Sequence, residues 1–126
     1  MKALINIGKQ TGYPMRIIEA VDSVNESQKS IVYEKLHAIM EGNLAGKQIA
    51  IWGLSFKPET DDMREATSLV TIELLLKAGC QVRVFDPVAM EEAKKLLPNV
   101  EWKKDTYDAL VGASVAVILT EWNEFR

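Results

Sequence analysis

The sequence predicts an α/β fold, a doubly wound parallel sheet preceded by a long helical arm. Three observations carry this expectation. Four short apolar runs (Gln48–Trp52, Gln81–Asp86, Val100–Trp102 and Ser114–Thr120) alternate with segments of helical period. Those runs are near-continuously apolar, as parallel strands covered on both faces require. Ahead of them, no glycine or proline interrupts Met15 to Glu41, a length only a long helix uses. At 126 residues, 48% apolar and 26% charged, the chain holds one domain, or one domain with an appendage. A net charge of -3 argues against a nucleic-acid-binding surface. No apolar run approaches the roughly 20 residues needed to span a bilayer. The segment Met1–Lys9 is too polar for a signal peptide. A single cysteine excludes an internal disulfide framework and fits a reducing, cytoplasmic setting.

Residues Lys2 to Gln10 read as a short helix with Leu4, Ile5 and Ile7 on its apolar side, closed by Gly12-Tyr13-Pro14. From Met15 to Glu41, Ile17, Ile18, Val21, Val24, Ile31, Val32, Leu36, Ile39 and Met40 recur with helical period, with polar Asn25 and Gln28 at the middle of the stripe. Gly42-Asn43 is its stop signal. Such a helix is roughly 40 Å long at about 1.5 Å per residue, longer than the domain behind it can cover. The expectation is an arm that buries its stripe against another domain or subunit. Residues 1–46 thus form a helical arm and residues 47–126 the sheet domain.

In the sheet domain the first strand is followed by a helix from Ala66 to Lys77, with Asp62 and Glu65 spaced for a capping box. Ala78-Gly79 closes that helix ahead of the second strand. A helix from Val88 to Leu97 ends before Pro98, the third strand is short, and Asp105 caps a brief helix through Val111. Ser114 to Thr120 is a continuously apolar fourth strand. Right-handed crossovers make this a Rossmann-like half-domain. Four strands form a thin sheet, and the sequence reads as stopping, at Trp122–Arg126, before a further element.

The segment Gly53-Leu-Ser-Phe-Lys-Pro-Glu-Thr-Asp-Asp-Met-Arg-Glu65 carries the chemistry. It leaves the first strand at Gly53, so it lies at the carboxyl end of the sheet, where open α/β folds bind ligands. It has no G-x-G-x-x-G, and about a dozen residues separate Gly53 from the helix, so backbone amides at a helix terminus cannot hold a pyrophosphate alone. Side chains must contribute. Lys57 offers a compact charge with three donors, Phe56 a flat apolar face, and Arg64 a planar fork suited to phosphate. The alternative is that both cations neutralise Glu59, Asp61, Asp62 and Glu65; spacing weighs the two readings evenly. Asp86 stands where dinucleotide folds place a ribose-binding acid, but Asp86-Pro87 without a glycine fingerprint reads better as a strand-ending turn. Cys80 reads as a small core hydrophobe. His37 has no second ligand nearby for a metal site.

The loop motif closely resembles the G-L-x-F-K-P-x-T-D-D-x-R-E segment of the UDP-glucose/GDP-mannose dehydrogenase family. The resemblance extends over Lys2-Ala-Leu-Ile-Asn6, Glu19–Gln28, Val84-Phe-Asp-Pro87 and Leu119–Phe125, and the Asp61–Ala66 wording is nearest to the UDP-glucose branch. It implies an NAD-dependent enzyme that oxidises a nucleotide sugar twice at C6 through a cysteine nucleophile. In the family that cysteine, in G-G-x-C-F-P-K-D, would stand directly before Lys2, after an N-terminal NAD-binding Rossmann domain; neither is in this sequence, and Cys80 does not match the nucleophile. The resemblance therefore implies a C-terminal part without a catalytic residue of its own, inert in isolation and partnered in the enzyme by an NAD-binding domain. By position, Phe56 and Lys57 would contact the UDP-sugar, Arg64 would reach NAD, and the arm would form a homodimer. GDP-mannose or UDP-N-acetylmannosamine dehydrogenation, or a non-catalytic dimerising, nucleotide-sugar-binding module, are the alternatives.

Overall fold

In the computed structural model, which describes residues 1–126, four parallel strands form one sheet in the order β3-β2-β1-β4. They are β1 (Gln48–Trp52), β2 (Gln81–Phe85), β3 (Glu101–Trp102) and β4 (Val115–Ile118). The helices are α1 (Lys2–Gln10), α2 (Arg16–Gln28), α3 (Ile31–Ile39), α4 (Thr67–Lys77), α5 (Met90–Lys94) and α6 (Thr106–Leu110), and a 3₁₀ turn, Asn123–Phe125, ends the chain. The chain leaves β1 on one side to build β2 and β3, then returns to lay β4 on the other. The fold is the α/β, doubly wound, parallel arrangement the apolar runs predict.

One face of the sheet carries the core. Ile49 and Ile51 align with Val82 and Val84 on one side and Val115 and Val117 on the other. Leu36 of α3, Ile72 and Leu75 of α4 and Ala93 of α5 join them in one buried cluster. Cys80 lies in this cluster with its thiol donating to the Leu44 carbonyl oxygen at 3.3 Å. Burial pushes its pKa up, so it is an inert core residue. His37 is exposed on α3, and no group of three His, Cys, Asp or Glu side chains converges anywhere.

The opposite face departs from the expected double cover. Helix α6 packs against β1 and β2 there, and Phe125 lays its ring 5.4 Å from Trp52 and 6.3 Å from Phe85. Beyond them, Ala116 is exposed and Ile118 is 52% exposed. Strand β4 is an edge strand buried on one side. Its unbroken apolar composition cannot reveal this, because composition does not record edge position.

The arm is not one helix. It breaks at Lys29-Ser30 into α2 and α3. Two serine side chains explain the break. The Ser27 hydroxyl donates to the Ser23 and Val24 carbonyls, and the Ser30 hydroxyl donates to Ser27. These side chains compete for the carbonyls of the helix ladder, and the Lys29 and Ser30 amides turn to the tighter i−3 carbonyls of Glu26 and Ser27. The two halves then part company. Leu36 is buried, and Val32, Tyr33 and Met40 pack against the core, so α3 belongs to the sheet domain. Helix α2 buries none of its residues, and Ile17 is 82% exposed.

The capping box is also absent. The α4 N-cap is Ala66, without a side-chain cap. Asp62 instead accepts from the Arg64 amide at 2.9 Å, and Glu65 is held in the left-handed region at φ 59. Helix α5 spans less than the expected Val88–Leu97: Asp86 accepts from the Val88 and Ala89 amides ahead of it, and at its far end the Lys95 and Leu96 amides turn to the i−3 carbonyls of Glu92 and Ala93. Asp105 does cap α6, accepting from the Asp108 amide at 2.7 Å.

Candidate functional site

In a sheet ordered β3-β2-β1-β4, the crossover direction reverses between β1 and β4. The connections that leave the carboxyl ends of those two strands therefore run to opposite sides, and the crevice between them is the usual ligand position in open α/β sheets. Here the crevice is a cleft of about 330 Å³ lined by Phe56, Lys57, Pro58, Ile118, Leu119, Thr120 and Glu121. Two of the three residues singled out in the loop, Phe56 and Lys57, meet in it.

The base of the loop is pinned from three directions. Asp86, fully buried at the end of β2, accepts from the Leu54 and Ser55 amides at 2.7 and 3.2 Å with one oxygen. Its other oxygen accepts from Val88 and Ala89 at 2.8 and 2.7 Å. The Ser68 hydroxyl of α4 donates to the Leu54 carbonyl at 2.6 Å, and the Thr120 hydroxyl donates to the Ser55 carbonyl at 2.7 Å. Gly53, at φ 91, lets Thr120 come this close: a Cβ there would stand 2.6 Å from the Thr120 amide nitrogen. Farther out, the Phe56 amide donates to the Asp62 carbonyl at 2.8 Å, closing the loop on itself. A rigid base thus presents a Phe56 ring that is 56% exposed and an exposed Lys57. Such pre-organisation lowers the entropic cost of capturing a ligand.

The two cations of the loop differ. Lys57 forms no salt bridge, although acidic residues follow it closely in sequence. Arg64 is 89% exposed and donates from Nε and Nη2 to the two Asp62 oxygens at 3.1 and 2.9 Å. Those hydrogen bonds hold the Asp62 carboxyl down to about 2 and raise the Arg64 pKa. Arg64 points into a different cleft, shared with Glu92, Lys95 and Leu96 at α5. The structure therefore separates Arg64 from the Phe56–Lys57 pair. The acid at the ribose position is also accounted for, since Asp86 spends both oxygens on backbone amides.

Sequence reasoning passed over Ser55, Ser68 and Thr120, whose partners lie 14 to 65 residues away. It also passed over the junction between arm and loop. There Lys2 and Lys29 each pair with both Glu26 and Glu65, and Lys2, Asn25, Lys29, Phe56 and Glu65 border a cleft of about 690 Å³. Only the charges in Glu26–Lys29 and Arg64-Glu65 could have signalled it, and nothing local pairs them.

A parallel sheet with a pinned loop that presents an unpaired lysine at its switch point is the arrangement by which open α/β domains bind ligands. The chain belongs to the UDP-glucose/GDP-mannose dehydrogenase family, whose UDP binding domain it matches over residues 50–126. It is 39% identical over 124 residues to a UDP-glucose 6-dehydrogenase of Rhizobium meliloti (strain 1021), covering 98% of this chain and 28% of that protein. It is 40% identical over 132 residues to a UDP-glucose 6-dehydrogenase of Pseudomonas aeruginosa, covering 100% of this chain and 29% of that protein. The structure superposes on a UDP-glucose dehydrogenase from the archaeon Pyrobaculum islandicum with a TM-score of 0.90 at 35% identity, over 98% of this chain and 28% of that one. The chain thus spans under a third of the length of these relatives.

Proposed function

We propose that this chain is the nucleotide-sugar-binding part of an NAD-dependent UDP-glucose 6-dehydrogenase, which converts UDP-glucose to UDP-glucuronate in two NAD-linked steps. The observation that carries this reading is the cleft at the β1–β4 switch point, with an unpaired Lys57 and an exposed Phe56 on a pinned loop. Lys57 binds a phosphate or sugar oxygen of the substrate, and Phe56 covers an apolar face of it. The chain's own sheet is not built to hold NAD, because β1 lacks the glycine fingerprint and Asp86 is saturated. Its contribution to the cofactor is Arg64, whose exposed guanidinium edge faces away from the substrate cleft. NAD supplies hydride acceptance in the complete enzyme; a separate NAD-binding domain holds it.

This division of labour is testable with the complete enzyme. A charge-assisted hydrogen bond contributes about 1.5–3 kcal/mol, roughly a tenfold to hundredfold effect per truncation. Lys57→Ala should weaken handling of UDP-glucose and leave the Michaelis constant for NAD unchanged. Arg64→Ala should do the reverse. Both should melt near the wild-type temperature, since neither side chain contributes to the core. Loss of stability in both, with kinetic constants intact, would make them structural counterions instead.

The arm serves association. Ile17, Val21 and Val24 of α2 stand exposed along a shallow apolar groove with Ala20. Burial contributes roughly 1.5–3 kcal/mol per side chain before association costs. A two-fold pairing of α2 with its copy is the commonest solution for such a face. Sedimentation should show a dimer at micromolar concentration and a monomer for the double variant Val21→Asp/Val24→Asp. A monomeric wild-type chain would contradict this use of the arm.

A further inference from the structure

We propose that Glu65 is a positioning residue, through which the arm sets the shape of the nucleotide-binding loop. Three observations meet at it. Glu65 is one of three non-glycine residues with positive φ, at 59°, a conformation that costs energy unless its surroundings hold it. What holds it is ionic. Its two carboxylate oxygens face Lys29 of the α2–α3 break and, at 3.6 Å, Lys2 at the start of α1. Glu26 closes the circuit, 3.0 Å from Lys2 and 3.1 Å from Lys29. Four alternating charges thus tie α1, α2 and the loop into one network, with the Lys29 side chain only 15% exposed.

The position of the clamp gives it leverage. Glu65 adjoins Arg64 and sits one residue ahead of the α4 N-cap. It lines the cleft that also contains Phe56, whose amide closes the loop onto Asp62. The break of the arm and the strain of the loop are then two halves of one device: the turn at Lys29-Ser30 delivers an ammonium group, and the left-handed turn at Glu65 delivers the carboxylate. Isolated exposed ion pairs contribute little, whereas networks anchored on a shielded member contribute more. The clamp does not touch the ligand. It keeps Phe56 in place for the nucleotide and Arg64, in its separate cleft, for the cofactor.

This inference rests on the nucleotide-binding reading, so the test has one arm that needs no ligand. In the ligand-free chain, amide hydrogen exchange at Phe56, Arg64 and Ala66 should speed up in Glu65→Gln and in Lys29→Gln, by about tenfold if the clamp contributes as an ion network can. In the second arm, UDP is titrated. Both variants should bind it about threefold to tenfold more weakly than wild type, with melting temperatures within a few degrees. The double variant should be no worse than either single one, because both remove the same interaction. Glu65→Gly separates charge from backbone: glycine accepts the positive φ without strain, so it should keep its melting temperature and still lose affinity. Unchanged exchange in Glu65→Gln and Lys29→Gln, or fully additive effects in the double variant, would overturn the proposal. If Glu65→Gln does not fold, Lys29→Gln decides in the same way. If wild-type chain fails to bind UDP, the ligand reading falls and the exchange arm alone decides the clamp.

Discussion

Replacing Asp86 with alanine should lower the stability of the fold by about 3–5 kcal/mol, since each buried donor left without a partner costs about 1–3 kcal/mol. Four backbone amides, those of Leu54, Ser55, Val88 and Ala89, are satisfied by this one carboxylate. Leu54 and Ala89 are fully enclosed, so water cannot easily replace it. The variant should melt more than about 10 °C below wild type. Asp86→Asn should fall between the two, because one side-chain oxygen still accepts while the amide nitrogen opposes two donors. A loss under about 1 kcal/mol in Asp86→Ala, by thermal or urea unfolding, would show that the junction of β1 and β2 does not depend on this residue.

Gly53→Ala should be comparably damaging, at about 3–5 kcal/mol when backbone strain and overpacking are combined. Its φ of 91 is one that L residues rarely adopt, and the added methyl would meet Thr120 Cβ and N at 2.6 Å and its carbonyl oxygen at 2.8 Å. Two of those atoms are backbone and cannot step aside. The informative control is Gly46→Ala. Gly46 has a φ of 77 but nothing within 4 Å of the built methyl, so its cost is the backbone term alone, about 1 kcal/mol. The excess at Gly53 measures how tightly β1 and the segment after β4 close at the switch point. Equal losses at the two glycines would mean that Thr120 yields easily and the cleft is soft.

The parts of this molecule that the sequence discloses share one property: their causes are local. Apolar runs of strand length with helical segments between them disclose the sheet, and Gly53 after β1 discloses a loop at its carboxyl end. The Phe56 and Lys57 side chains stand out in the sequence because both are exposed and Lys57 has no ionic partner. Asp105, with its own bonding partner three residues ahead, was equally legible. What stayed hidden depends on distant partners. The serines that break the arm are local, but what the break achieves is not: it hands Lys29 to Glu65, 36 residues on. Thr120 looks like the end of a strand until its hydroxyl is found on Ser55, 65 residues back. The Asp62–Glu65 spacing resembles a capping box, but Arg64 recruits Asp62 and Lys29 recruits Glu65. Edge exposure of β4 follows from strand order alone, which crossover direction decides and composition does not encode.

The proposed function requires the β1–β4 switch point to bind the UDP portion of a nucleotide sugar through Phe56 and Lys57. Titrating the isotopically labelled chain with UDP, and following its backbone amide resonances, tests it most directly. Saturable shifts should concentrate at Gly53 to Lys57 and at Leu119 to Glu121, and Lys57→Ala should weaken the response by roughly tenfold to hundredfold. No saturable shift, or shifts confined to the Arg64–Lys95 cleft with Lys57→Ala unchanged, would contradict the account.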